Sequence, residues 1–84
     1  MHEHALMRDL MREIARVSGG ARVTRVRVRL GVLSHFTDEH FREHFEDASR
    51  GTAAEGAEVV TTLDPDPTSP SAQGVVLESI DVAG

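Results

Sequence analysis

Cysteine, lysine, asparagine, tryptophan and tyrosine are all missing from the 84 residues. Without cysteine there is no disulfide framework, no thiolate nucleophile and no iron–sulfur ligand, so any metal chemistry must use nitrogen and carboxylate donors. Acids outnumber bases by fourteen to nine, for a formal charge of −5 at pH 7. That balance repels a phosphate backbone, and the arginines form no unbroken basic block, which argues against nucleic acid as a partner. Glu3, Asp9 and Glu13 interrupt the apolar residues of the N-terminal segment, and no run of about 20 apolar residues exists anywhere. The expectation is a cytoplasmic protein with no membrane span. A chain this short encloses one modest core, so residues 1–84 are expected to form a single domain.

What is present falls into five segments. Leu6, Leu10, Ile14 and Val17 recur at helical spacing, with Met7 and Met11 on the flank and Arg8, Arg12 and Arg16 on another face. Gly19 and Gly20 end that helix, because glycine accepts the left-handed conformation of a helix C-terminus. Thr24, Val26, Val28, Leu30 and Val32 then alternate with Arg25, Arg27 and Arg29, the period of a half-buried strand whose arginine face is solvated or ion-paired. A second helix is predicted to begin after Thr37 as N-cap, with Asp38 and Glu39 at the positive end of its dipole and Phe36 and Phe41 as a hydrophobic staple. It should run to about Ser49, with Gly51 at its close.

Two further strands are predicted over 57–63 and 74–82, separated by a connection containing all three prolines. In the last strand the apolar phase shifts between Val75, Leu77 and Ile80, Val82, which predicts a bulge near Glu78 and Ser79. The order α-β-α-β-β folds most simply as a two-layer α+β domain, a three-stranded sheet with two helices on one face. The last two strands are expected to pair with each other as an antiparallel hairpin over residues 64–74.

Four stretches carry a family likeness: the Met1-His2-Glu3 start, the strand RVTRVRVRLGVLS, the run FEDASRGTAAEGA and the closing VVLESIDV. Together they resemble the HypA/HybF family of hydrogenase nickel-insertion proteins. The resemblance implies a metallochaperone, not an enzyme, that delivers Ni(II) to the large subunit of [NiFe] hydrogenase, or to urease, alongside a HypB-type GTPase. It further implies that nickel binds at the N-terminus, with His2 as the essential ligand and Glu3 beside it. The family inserts a zinc ribbon of two C-x-x-C pairs between its last two strands. Here only residues 64–74 stand in that place, so no structural zinc is expected.

The chemistry suits the position. A free α-amine on Met1, the amide nitrogen of residue 2 and the His2 imidazole can close adjacent chelate rings on one ion, with Glu3 or His4 adding a donor. Such nitrogen sets favour square-planar Ni(II) or Cu(II), and Cu(II) binds tighter intrinsically, so nickel selectivity has to come from supply or handover. His40 and His44 stand four apart on one helix face, the spacing at which two imidazoles can share a metal, although such a pair also suits a plain solvent face. Two other functions compete with nickel delivery. One is a metal-free module that docks a hydrogenase subunit or a maturation GTPase, and the other is a hydrolase using metal on the histidine-bearing helix. Catalysis has little support, since Ser34 and His35 are adjacent without an orienting third group and no phosphate-binding glycine loop occurs. The sequence leaves the client enzyme and the oligomeric state open.

Overall fold

The computed structural model describes residues 4–84 with their side chains, and residues 2 and 3 by their backbone. Helix α1 spans His2–Ser18, strand β1 Val23–Gly31, helix α2 Asp38–Ser49, strand β2 Glu58–Asp64 and strand β3 Val75–Val82. This is the expected α+β order, with two helices and a three-stranded mixed sheet.

Local chemistry explains each boundary. Gly19 and Gly20 hold φ of 61° and 90°, and the Gly19 N–H closes α1 on the Ala15 carbonyl. The Thr37 hydroxyl accepts from the His40 N–H at 3.1 Å, satisfying one of the donors that every helix start leaves open. Phe36 meets Phe41 edge-on at 5.5 Å, which is the staple across that cap. The Arg50 N–H reaches the Asp47 carbonyl, and Gly51 follows at φ 77°.

The apolar faces of both helices cover one side of the sheet. Met7, Leu10 and Ile14 of α1, Phe41 and Phe45 of α2, and Val23, Val26, Val28 and Leu30 of β1 form the buried centre. Each such side chain contributes about 1.5–3 kcal/mol by leaving water. The stripe on α1 keeps the expected Leu10 and Ile14 but differs at its ends: Met7 is buried, Leu6 is only partly covered and Val17 is exposed. Thr24 is also exposed, because pairing with β3 shifts register between Val23 and Arg25 and turns Val23 inward instead.

Sheet topology departs from the hairpin expected for the last two strands. The strand order is β2-β1-β3, with β1 central, parallel to β2 and antiparallel to β3. β1 and β2 are parallel because they are joined through α2, and a helical crossover returns the chain to the end where it started; β1 takes the centre as the most buried of the three strands. The chain then leaves β2 at the end where β1 also finishes, crosses over that end and descends on the far side of β1. The crossing is tight. The Gly31 N–H donates to the Gly74 carbonyl at 2.9 Å, and the Leu33 N–H to the Ala72 carbonyl at 2.8 Å. A Cβ on Gly31 would stand 2.1 Å from the Ala72 carbonyl oxygen, so only glycine lets the two backbones approach this closely. The bulge expected in β3 is present: Arg27 pairs with Ser79 and Val28 with Leu77, leaving Glu78 as the extra residue.

Candidate metal centre

The proposed ligands Met1, His2 and Glu3 lie outside the residues whose side chains are described. His4, next along α1, is exposed. It lines a groove between the helices, with Met7, Arg8 and Met11 on the α1 side and His44, Asp47 and Ala48 on the α2 side. The N-terminal turn of α1 and the histidine-bearing face of α2 therefore share one surface.

His40 and His44 are brought together. Their Nε2 atoms stand 3.0 Å apart, one ring donating N–H to the other. The ring centroids are 4.6 Å apart, and the edge or face of Phe36 meets both rings at 5.8 and 5.9 Å. Both histidines are half-buried. Among the described residues, no group of three histidine, aspartate or glutamate side chains gathers into a metal site. His35, the other histidine beyond the first turn, is exposed and sits at φ 67°, in the tight link ahead of α2.

The opposite face of the sheet is committed to ion pairs. Arg25 contacts Glu58 at 3.0 Å and Asp81 at 3.3 Å, Arg27 contacts Asp81 at 3.1 Å, and Arg29 contacts Glu78 at 3.1 Å. The hydrogen bond from Arg27, helped by the charges of Arg27 and Arg25, holds the Asp81 carboxyl below the usual carboxylate range. Glu58, chiefly through its hydrogen bond, pushes the Arg25 guanidinium higher still. Asp38 at the head of α2 is likewise held low, first by the Thr61 hydroxyl and then by Arg42. These contacts tie α2 and both outer strands to their neighbours and pair Arg25, Arg27 and Arg29 with carboxylates.

Sequence reasoning treated His4 and the His40–His44 pair as separate clusters. Their shared groove is a helix–helix contact, which no local pattern reports. The available signal was that His4, Met7 and Met11 form one stripe of α1, and His40, His44 and Asp47 one stripe of α2.

A sequence profile described as hydrogenase/urease nickel incorporation, metallochaperone, hypA, matches residues 1–68. The hydrogenase maturation factor HypA of Azorhizobium caulinodans is 41% identical over 63 residues, covering 71% of this chain and 56% of that protein. The namesake from Methylocella silvestris is 40% identical over 60 residues, covering 68% of this chain and 53% of its own length. The chain thus spans a little over half the length of the curated relatives it matches. The solution structure of the Ni metallochaperone HypA from Helicobacter pylori superposes with a TM-score of 0.69 at 14% identity, covering 95% of this chain and 96% of that one, which is a likeness of fold. By the profile match and the two relatives, this chain belongs to the HypA family of hydrogenase and urease nickel-incorporation metallochaperones.

Proposed function

We propose that the chain carries Ni(II) as cargo at its N-terminus and hands it to a nickel enzyme. The observation that carries this reading is the family match, which begins at residue 1 and so takes in Met1, His2 and Glu3. The ligand set is the Met1 α-amine, the amide nitrogen and imidazole of His2, and a donor from Glu3, with His4 as an additional nitrogen. The physical setting agrees with it. Helix α1 starts at His2, and the first N–H groups of a helix have no intrahelical acceptor, so the His2 amide can give up its proton and bind an ion without breaking a helical hydrogen bond. Without thiols in the chain, nitrogen donors are what a borderline ion such as Ni(II) has to bind.

Residues 1–84 act as one nickel-binding domain in the cytoplasm, with 64–74 as the short connection where longer family members carry their ribbon. The partners are a HypB-type GTPase and the large subunit of [NiFe] hydrogenase, with urease as another client. The domain binds and transfers; it does no catalysis of its own. Calorimetry on tag-free protein tests the reading. Tight Ni(II) binding should disappear in His2→Ala and when residues are added ahead of Met1. Equal affinity in native and extended chains overturns the terminal site, and partner capture that persists without any nickel affinity would make the chain a docking module instead.

A further inference from the structure

We propose that His40 and His44 chelate one divalent transition-metal ion through their Nε2 atoms, forming a second, exchangeable metal site on α2 that is separate from the N-terminus. The argument starts from the spacing of the two nitrogens, 3.0 Å. With metal–nitrogen bonds of about 2.1 Å, two donors at 90° on one ion lie about 3.0 Å apart, and two tetrahedral donors about 3.4 Å apart. The observed spacing is the length of the hydrogen bond the rings now make, and it leaves both nitrogens within reach of neighbouring corners of one ion.

The rings are already held beside one another. Phe36 packs against both, and the turn carrying His40 is fixed by the Thr37 cap. Chelation then costs little ordering entropy. The hydrogen now shared between the rings has somewhere to go. The donating imidazole moves its hydrogen from Nε2 to Nδ1, and a small turn of the rings brings both Nε2 lone pairs onto the ion. Nearby charges are mixed: Asp47 on α2 and Arg8 on α1 line the groove that His44 shares with His4.

Among the described residues no third histidine, aspartate or glutamate joins the pair, so water fills the remaining positions and the ion exchanges readily. That suits transit better than storage. His4 stands on the same groove, two residues from His2, which makes the pair an entry point from which an ion can reach the terminus. This last step rests on the nickel-carrier reading; the chelation itself does not.

The test uses full-length, N-terminally acetylated protein, in which the terminal amine is blocked, titrated with Ni(II) and separately with Zn(II). Ni(II) should broaden the ring signals of His40 and His44 selectively, leaving His35 sharp. Zn(II), being diamagnetic, should shift the ring 15N resonances of both to the Nδ1–H tautomer. His40→Gln and His44→Gln, each checked for an unchanged thermal melt, should weaken Ni(II) binding about tenfold or more. Unperturbed His40 and His44 signals in the acetylated protein, or binding that both variants leave intact, would overturn the proposal. Because the NMR readout needs no substitution, a misfolded variant does not cloud it. A native, unblocked chain that shows only the paired site refutes the carrier reading alone, and one that shows only the terminal site refutes the pair alone.

Discussion

Gly31→Ala should be among the most damaging single-methyl additions to this chain. The new Cβ would lie 2.1 Å from the Ala72 carbonyl oxygen, 2.4 Å from its carbonyl carbon and 2.4 Å from the Ser71 carbonyl oxygen. These are backbone atoms, so no side chain can rotate away, and the crossing segment itself has to lift. Overpacking of this kind costs about 1–3 kcal/mol. Lifting also strains the hydrogen bonds from Gly31 to Gly74 and from Leu33 to Ala72, each worth roughly 0.5–1.5 kcal/mol net. A loss of about 2–4 kcal/mol follows, against a total stability of roughly 4–13 kcal/mol for 84 residues. The assay is urea unfolding followed by circular dichroism, since the chain has neither tryptophan nor tyrosine for fluorescence. Gly74→Ala is the control. Its Cβ would find nothing nearer than the Ser71 carbonyl at 3.9 Å, so it should be neutral or slightly stabilising. A Gly31→Ala loss below about 0.5 kcal/mol, or equal losses for both variants, would refute the tight crossing.

Thr37→Ala removes the side-chain acceptor of the His40 N–H and should cost about 1 kcal/mol in the same urea assay, with Thr37→Ser retaining most of it. Asp81→Asn should alter the acid limb of the stability curve. A carboxyl held low by arginine contributes stability that is fully present above its unfolded value of about 3.9 and is lost as pH falls through the lower folded value. The variant should therefore be less stable than the parent at neutral pH and lose less on acidification; parallel curves below about pH 4 would show that the Arg25–Arg27–Asp81 contacts have no linkage to folding. Thermal melts at intervals across that range provide the measurement.

Short-range chemistry was readable in the residues themselves. The Phe36-Thr37-Phe41 staple and cap lie within one helical turn, so their pattern appears directly in the chain. The Glu78 bulge showed as a slip in apolar phase, and the arginine alternation identified the ion-paired face of β1. Strand neighbours were not readable in the same way. The proline-containing segment looks like a hairpin loop, and its length suits either a return beside β2 or a passage over β1. What decides the matter is tertiary: β1 is the most buried strand, and the crossing segment bonds to its end through Gly31 and Leu33. On α1 the expected Leu10 and Ile14 are buried, but Leu6 and Met7 are both apolar neighbours, and packing against β3 and α2 selects Met7. The metal-bearing residues divide similarly: the His40–His44 contact follows from helical spacing, whereas the groove that His4 shares with His44 depends on how two helices dock.

The placement of β1 between its neighbours has a kinetic consequence. One partner of the middle strand arrives only after residue 74, and Arg25 and Asp81, 56 positions apart, must find each other before the sheet is complete. Contacts of such long range slow the search, and the closing entropy grows by about 0.6 kcal/mol for each doubling of the intervening loop. Since α1 rests partly on β3, the seat beneath the first helix is finished late.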